Sequence, residues 1–292
     1  MTIEKFRNHF INLLEDLYPI EELRSFFYLI AEKQLNLSRI NIALQLNDEL
    51  TLKEQFNFYQ AIDRLRNHEP IQYIIGETEF FGLPIKVNNQ VLIPRPETEE
   101  LVAWIIEDTN QKETTVLDIG TGSGCIAIAL AKRLNNAVVS AIDISSSALE
   151  VAKKNTLINN VNVKFSRIDM LHFEDDLTLQ HEWDSKFDII VSNPPYVRIQ
   201  EKELMKSNVI DHEPNLALFV EDDDPLLYYR KISQLSKQYL KHNGILYLEI
   251  NEYLSNEMKK MLVEEGFNHL QLKKDIFGKN RMIKCCLYAK TR

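Results

Sequence analysis

The first 75 residues place apolar side chains at helical spacing. Apolar residues recur every three or four positions between Ile3 and Leu17, which is the period of one helix face. Pro19 is expected to end this helix, because proline lacks the backbone N–H that a continuing helix needs. Thr51 and Glu54 have the spacing of a capping box, which predicts the start of a further helix. The pattern therefore predicts an N-terminal helical bundle over residues 1–75.

Residues 76–95 change to short extended segments. Two runs rich in β-forming residues flank Gly82, and the turn signal between them predicts a β-hairpin. Pro96 then suits the first turn of a helix. We interpret residues 76–95 as a hairpin linker and residues 96–292 as a larger domain.

From Thr114 onward, strand-like and helix-like segments alternate. The predicted strands cover residues 116–119, 137–142, 161–168, 187–192, 245–250, 268–274 and 282–289. The predicted helices cover residues 123–134, 146–158, 225–241 and 254–265. Such alternation predicts a parallel sheet with helices on both faces. The last two strands have no helix between them, which predicts an antiparallel hairpin at one edge of the sheet.

Charge and composition narrow the classes of function. The chain has 34 basic and 43 acidic residues, a formal net charge of −9, which argues against a non-specific nucleic-acid binder. Residues 1–75 carry 8 basic and 11 acidic residues, so this bundle is expected to contact protein. We see no signal peptide and no apolar run of the roughly 18 residues that span a membrane. Three cysteines without Cys-x-x-Cys spacing predict a reducing cytoplasm and no structural metal.

Glycine is scarce and unevenly placed. The chain has 8 glycines, and three of them lie in the segment Gly120–Gly124. This segment follows a predicted strand and precedes a helix, where glycine lets the backbone turn sharply and approach a ligand. Its spacing lacks the third glycine of the dinucleotide fingerprint, which disfavours NAD and FAD. The predicted cofactor-binding residues of this loop are Gly120, Thr121, Gly122, Ser123 and Gly124, with helix capping as the alternative for Ser123.

Carboxylates follow the next two strands. Asp143 lies about 20 residues after the glycine loop, where a carboxylate accepts the hydroxyls of a ribose. Asp169 is placed to accept a hydrogen from the amino group of adenine, with Met170 against the ring. The alternatives are a helix N-cap for Asp143 and ordinary loop solvation for Asp169. Together with the glycine loop, these residues predict an adenosine-containing cofactor at the carboxyl edge of the sheet.

The most specific motif is Asn193-Pro194-Pro195-Tyr196, directly after the strand 187–192. The prolines fix φ and keep the residues before them out of the α region, so the segment is held extended. The side-chain oxygen of Asn193 and the carbonyl of Pro194 then become two fixed acceptors, which suit an –NH₂ group. Tyr196 is expected to form a flat wall. We predict that Asn193, Pro194 and Tyr196 are catalytic, that all four residues bind substrate, and that Asn193 also contacts the cofactor.

These motifs resemble class I S-adenosylmethionine-dependent methyltransferases that modify planar nitrogens. The chain further resembles the PrmC/HemK family, which methylates the glutamine of the Gly-Gly-Gln loop in peptide chain release factors. The matching blocks are Pro70–Gly76, Phe80–Leu83, Leu92–Glu99, Glu213–Leu218 and Asp275–Arg281. Two positions depart from the family pattern, because Asn251 and Pro225 stand where glycine is usual.

The resemblance implies the fold and the reaction. The implied fold is α/β, a Rossmann-like seven-stranded class I methyltransferase sheet with its last strand antiparallel, preceded by the helical bundle and the hairpin linker. The implied cofactor is S-adenosyl-L-methionine, without a metal. The implied partners are release factors, recognised by residues 1–75, with no direct nucleic-acid or membrane partner.

Three other functions are weighed against this one. A nucleic-acid amine methyltransferase shares the Asn-Pro-Pro-Tyr motif and is disfavoured by the acidic charge and the linker. A nucleotide-dependent oxidoreductase is opposed by the glycine spacing, and a non-catalytic cofactor-binding scaffold has no use for the rigid loop. One residue stays open: Arg95 either orients substrate or forms a salt bridge with Glu97 or Glu99.

Overall fold

The computed structural model describes residues 1–109, 113–175 and 186–287. The chain divides into two compact units. Met1–Glu77 with Lys206–His212 form the first, and Thr78–Met205 with Glu213–Arg292 form the second. The domain boundaries expected at residues 75 and 95 stay predictions, and the end of the last predicted strand, residues 288–289, lies outside the described residues.

The first unit is built from helices. They are α1 (Ile3–Asn12), α2 (Ile20–Leu35), α3 (Arg39–Leu44), α4 (Leu52–Arg66) and α5 (Ile71–Ile75). Four fully buried aromatic rings, Phe6, Phe10, Phe27 and Phe58, pack together in its core. The predicted capping box is confirmed, because the side chains and backbones of Thr51 and Glu54 bond reciprocally at the start of α4.

Two features of this unit differ from expectation. Helix α1 ends at Asn12, well before Pro19, although Leu14 beyond it is fully buried. The prediction of a longer helix was wrong because apolar residues in the following turns keep helical spacing while serving the same core. The short helix Ser207–His212 also belongs to this unit, and the His212 Nε2 atom lies 2.7 Å from the backbone oxygen of Asn67.

A β-hairpin follows the first unit along the chain. Its strands are β1 (Glu77–Phe80) and β2 (Leu83–Lys86). Both residues of the turn, Phe81 and Gly82, have positive φ, as a two-residue turn of type I′ requires. The backbone N–H of Phe81 donates to Glu99 Oε1, which compensates for the unusual conformation of a bulky residue. The predicted hairpin is confirmed.

The second unit contains a seven-stranded sheet. The further strands are β3 (Thr115–Ile119), β4 (Val138–Asp143), β5 (Val163–Arg167), β6 (Phe187–Ser192), β7 (Val197–Arg198), β8 (Phe219–Val220), β9 (Leu240–Glu249), β10 (Phe267–Lys274) and β11 (Asn280–Leu287). The order in the large sheet is β10-β11-β9-β6-β3-β4-β5. β3, β4, β5, β6 and β9 pair in parallel, while β11 is antiparallel to both of its neighbours. This arrangement confirms the predicted fold class.

Helices alternate with these strands. They are α6 (Pro96–Asp108), α7 (Cys125–Arg133) and α8 (Ser146–Asn159), followed by Asn215–Leu218, Leu227–Tyr239 and Ser255–Glu264. The core of this unit includes the fully buried Leu117, Ile190 and Leu246 from the sheet and Tyr229 and Leu262 from the helices. Within the described ranges, no helix combines the length and apolarity that crossing a bilayer requires.

Candidate active site

The strand register brings the predicted site residues to one edge of the sheet. Ile119 pairs with both Ile142 and Ser192, and Ser192 pairs with Leu248. Each of these residues ends, or nearly ends, a parallel strand. The residues that follow them, Gly120, Asp143, Asn193 and Glu249, therefore emerge side by side. Parallel strands place ligand-binding loops at such a carboxyl edge.

The glycine loop is held by backbone hydrogen bonds to the end of β4. The N–H groups of Gly120 and Thr121 both donate to the backbone oxygen of Ile142, at 2.9 and 3.0 Å. The N–H of Gly122 donates to Asp143 Oδ2 at 2.8 Å. The conformation of the loop therefore depends on Asp143, the carboxylate that is predicted from the sequence to bind the ribose of the cofactor.

The remaining two loop residues serve the packing behind the loop. A Cβ atom on Gly124 would lie 3.0 Å from the Cβ of Ala152 in α8, so a side chain there would crowd the contact between α7 and α8. Ser123 is buried, and its backbone oxygen accepts from Asn155 Nδ2. No side chain caps α7, so the capping alternative for Ser123 was wrong.

Asp143 connects two backbone segments. Its Oδ1 accepts from the N–H of Ser145 at 2.9 Å while its Oδ2 accepts from Gly122. Ser145, rather than Asp143, caps α8 by accepting from Ala148 N, so the capping alternative for Asp143 was wrong. Burial raises the pKa of Asp143, against the effect of its backbone hydrogen bonds. A carboxylate offers about four acceptor positions, so Asp143 can still accept hydrogen bonds from a ligand.

Asp169 and Met170 follow β5. Asp169 Oδ1 accepts from Leu171 N at 2.9 Å, and its Oδ2 lies 2.9 Å from His172 Nδ1. These bonds orient the carboxylate at the start of a 3₁₀ helix, Met170–Asp175. Met170 is buried. Tyr228 lies near enough to Asp169 for the negative charge to raise the pKa of its phenol, although burial is the larger cause.

Asn193 belongs to a chain of hydrogen bonds that ends at a buried carboxylate. Asn193 Nδ2 donates to Thr98 Oγ1 at 3.2 Å, and Thr98 Oγ1 donates to Glu249 Oε2 at 2.7 Å. The hydroxyl of Tyr196 donates to the other oxygen of Glu249 at 2.9 Å. Burial raises the pKa of Glu249, and burial together with Glu249 raises the pKa of Tyr196. Neither Thr98 nor Glu249 is predicted from the sequence pattern to belong to the site.

A cavity of about 390 Å³ opens beside these residues, a volume within the range of small-molecule sites, roughly 300 to 1,000 Å³. Its charged lining residues are Arg95, Asp143 and Asp169. Of the predicted site residues, it is lined by Gly120, Thr121, Gly122, Ser123, Asp143, Asp169, Met170, Asn193, Pro194 and Pro195. Gly124 and Tyr196 are not among the described residues that line the cavity, and Tyr196 packs against the core of the unit. The flat wall expected from Tyr196 stays a prediction.

The cavity fits an adenosine-containing cofactor with a methionine end. Gly120 and Gly122 have positive φ, and a Cβ on either would meet no atom within 4 Å, so the loop leaves open space for a ligand. Behind the loop, Asp118 is fully buried, with one oxygen accepting from Thr121 Oγ1. Its Oδ1 atom has no hydrogen-bond partner among the described residues. Burial raises the pKa of Asp118, and a cationic group nearby, such as the ammonium of S-adenosylmethionine, would favour its ionised form.

Arg95 lines the cavity but contacts neither predicted partner. Its Nη2 atom lies 2.6 Å from Glu213 Oε1, and the second oxygen of Glu213 accepts from Ile93 N at 3.2 Å. Of the two alternatives for Arg95, the salt bridge with Glu97 or Glu99 was therefore wrong, and the role in orienting substrate stays a prediction. Sequence spacing favoured those near neighbours, whereas the actual partner follows 118 residues later. The pair holds the cavity-lining segment after Glu213 against the residues around Arg95.

Arg95→Ala is expected to lower the free energy of unfolding by about 2 kcal/mol, because it removes a charge-assisted hydrogen bond from a carboxylate that is almost fully buried. The Glu213 side chain is 1% exposed. Urea denaturation measures the change. Adding Glu213→Gln to this variant removes the unpaired charge and should recover most of the loss. A stable single variant would show that the pair does not hold this segment.

Comparison with known proteins identifies the family. A PrmC N-terminal domain model matches residues 6–76, and a Methyltransferase small domain model matches residues 98–215. The release factor glutamine methyltransferase of Flavobacterium psychrophilum is 48% identical over 288 residues, covering 97% of this chain and 99% of that protein. This chain belongs to the release factor glutamine methyltransferase family. The enzyme of that name from Bacteroides thetaiotaomicron is 43% identical over 270 residues, covering 92% and 95% of the two chains.

Solved structures support the fold of this release factor glutamine methyltransferase family member. The hMettl16 catalytic domain, in complex with MAT2A 3'UTR hairpin 6, superposes with a TM-score of 0.56. It shares 16% identity, with coverage of 84% of this chain and 88% of that one, so the likeness concerns the fold alone. Family and fold together make the chain an S-adenosylmethionine-dependent methyltransferase, which confirms the predicted enzyme class and cofactor.

Proposed function

We propose that this chain transfers the methyl group of S-adenosyl-L-methionine to the side-chain amide nitrogen of the glutamine in the Gly-Gly-Gln motif of peptide chain release factors, in the cytoplasm. The observation that carries the proposal is the position of Asn193 and Pro194 on the lining of the same cavity as the glycine loop. An amide group at this point would face two fixed acceptors and the cofactor site together. The names of the relatives supply the substrate class.

The residues that would hold the cofactor follow three strands. Asp143 would accept the ribose hydroxyls, since a cis-diol matches the two oxygens of a carboxylate. Asp169, with Met170, would bind the adenine. The glycine loop would hold the methionine end, where its open backbone faces the cavity. S-adenosylmethionine bound there supplies a methyl group already activated on a sulfonium.

The task of the protein is therefore to orient a weak nucleophile. The lone pair of an amide nitrogen is delocalised into its carbonyl. Asn193 Oδ1 and the Pro194 carbonyl would accept the two amide hydrogens and direct the lone pair toward the methyl group. Positioning of this kind supplies several kcal/mol. The two acceptors bind more strongly as the nitrogen becomes positive, which lowers the barrier.

The proton leaves the nitrogen after methyl transfer, so the scheme assigns no strong base. The nitrogen becomes acidic once it has four substituents, and water at the cavity mouth suffices to accept the proton. Tyr196 is unsuited to this task, because its pKa is raised by burial and by Glu249 and its hydrogen already bonds that carboxylate.

The two parts of the chain divide the work. Residues 1–75 would recognise the release factor, residues 76–95 would link, and residues 96–292 would carry catalysis. The match of residues 6–76 to the PrmC N-terminal domain supports this division. The acidic balance of residues 1–75 supports a protein partner, and no nucleic-acid or membrane contact enters the proposal.

A methyl-transfer assay tests the function. The enzyme is incubated with methyl-labelled S-adenosylmethionine and, separately, with release factor, tRNA or DNA. Label should enter release factor alone, and peptide mass spectrometry should place it on the glutamine of the Gly-Gly-Gln motif. Replacing that glutamine in the release factor should abolish labelling. Label in tRNA or DNA would instead support a nucleic-acid amine methyltransferase.

Asp143→Ala is expected to weaken cofactor binding by about 100-fold, because it removes the ribose acceptor and leaves the N–H groups of Gly122 and Ser145 without their partner. Calorimetric titration with S-adenosylmethionine measures the dissociation constant. Asp223→Ala, at an exposed aspartate of the same unit, serves as the control. Unchanged affinity in Asp143→Ala would rule out the ribose role.

A further inference from the structure

The chain Tyr196–Glu249–Thr98–Asn193 contains a directional constraint. Glu249 is 1% exposed and receives two donors, one on each oxygen. An ionised carboxylate only accepts hydrogen bonds. Thr98 has a single hydroxyl hydrogen, and its bond to Glu249 uses that hydrogen. Thr98 can then only accept from Asn193.

This constraint decides which end of the Asn193 amide faces Thr98. Only the NH₂ group can donate to the hydroxyl, as the contact between Asn193 Nδ2 and Thr98 Oγ1 at 3.2 Å shows. The amide carries its oxygen on the opposite branch, so Oδ1 is left free for a donor that is not Thr98. Asn193 lines the cavity. A substrate –NH₂ group needs an acceptor there, and the reversed amide would present a second donor instead.

We propose that Glu249 is a positioning residue that acts through Thr98 to fix the orientation of the Asn193 amide, so that Oδ1 rather than Nδ2 meets the substrate. The inference rests on the proposed function. It gives the buried carboxylate a task in catalysis without contact to substrate or cofactor. The same carboxylate accepts from the Tyr196 hydroxyl. Both ends of the Asn-Pro-Pro-Tyr loop are therefore hydrogen-bonded to Glu249, Tyr196 directly and Asn193 through Thr98.

The polar surroundings of Glu249 are consistent with this role. Its charged neighbours are Arg281 on β11, which favours the ionised form, and Glu97 on α6, which opposes it. Tyr229 donates to the backbone oxygen of Glu249, not to its side chain. The side-chain oxygens therefore remain committed to Thr98 and Tyr196. Protonation of Glu249 would let it donate to Thr98, and Thr98 would then be free to donate to a reversed Asn193 amide.

The test compares Thr98→Val with Thr98→Ser. Valine keeps the shape of threonine and loses the hydroxyl, so kcat for release factor methylation should fall on the order of tenfold, the effect that one hydrogen bond supports. The dissociation constant of S-adenosylmethionine should stay within about twofold. Serine keeps the hydroxyl and should restore most of the rate. Thr98→Ala, which adds no apolar bulk, repeats the measurement should the valine variant fold poorly.

A double-mutant cycle separates orientation from general damage to the site. In an Asn193→Ala background there is no amide to orient, so Thr98→Val should have no further effect on single-turnover methylation. If the two substitutions damaged the site independently, their effects on the methylation rate would multiply. That result would overturn the proposal. The wild-type rate should also fall as pH decreases through the titration of Glu249, with this acid limb missing in Thr98→Val.

The outcomes distinguish the two proposals. A wild-type enzyme that leaves release factor unlabelled contradicts the proposed function. A wild-type enzyme that labels release factor normally, with Thr98→Val equally active and no acid limb in the wild-type rate, contradicts the positioning role alone. A reduced rate in Thr98→Val, rescue by Thr98→Ser and unchanged cofactor affinity would support the positioning role.

Discussion

Asn193→Ala is expected to lower kcat for release factor methylation by about 1,000-fold, the loss typical of removing a preorganised hydrogen-bond partner from a transition state. The variant removes the acceptor and also the rigid group that Thr98 orients. Cofactor affinity should change little, because the glycine loop, Asp143 and Asp169 are held by other contacts. Single-turnover transfer of labelled methyl groups measures the rate.

The control for this variant is Asn256→Ala. Asn256 is exposed on the helix Ser255–Glu264 and is not among the residues that line the cavity. Loss of an amide from this position should leave the methylation rate within about twofold of the wild type, the usual range for a surface substitution. If Asn193→Ala methylated release factor at the normal rate, the two-acceptor scheme would have to be abandoned.

The sequence predicted the parts of the site that local rules determine. Gly120, Asp143 and Asn193 each follow an apolar segment of strand length, and parallel strands bring such positions to one edge. The capping box at Thr51 and the hairpin around Gly82 likewise depend on residues only a few positions apart. In these cases a few neighbouring residues are enough to predict both the local structure and the role of the residue.

The site residues that the sequence pattern does not reveal are joined over long separations. Thr98 and Glu249 lie 151 residues apart, and Thr98 and Asn193 lie 95 apart. No spacing rule links such residues, and each has a bland local interpretation as a helix residue or a strand end. Arg95 illustrates the converse error, because local spacing proposed Glu97 and Glu99 while the fold supplied Glu213.

The short helix Ser207–His212 shows a second limit of local reasoning. It lies in the sequence between parts of the second unit, yet it belongs to the first. Its six residues show no apolar periodicity, and none of them is buried. The helix belongs to the first unit because of tertiary contacts such as that between His212 and Asn67. The local sequence does not reveal such contacts.

Asp118→Asn is expected to change how stability depends on pH. Burial raises the pKa of Asp118 to about 7 from its ordinary 3.8, against hydrogen bonds from Thr121 and Ala127. At pH values between 3.8 and about 7, Asp118 is protonated in the folded protein and ionised in the unfolded chain. The free energy of unfolding of the wild type should therefore lose a contribution of about 4 kcal/mol as pH rises from 4 to 8. Below about pH 4 the group is protonated in both states and contributes no slope.

The asparagine variant isolates this contribution, because an amide has nearly the same shape and does not titrate. Its oxygen can accept from Thr121 and Ala127, and its NH₂ group would take the place of the oxygen that has no partner among the described residues. Urea denaturation of both proteins at several pH values gives the difference in unfolding free energy, in which the other titrating groups cancel. The variant should gain stability relative to the wild type as pH rises to about 7, and the gain should then level off. A difference in unfolding free energy that is independent of pH would mean that Asp118 has its ordinary pKa in the folded protein. Burial of this carboxylate would then make no contribution to the pH dependence of stability.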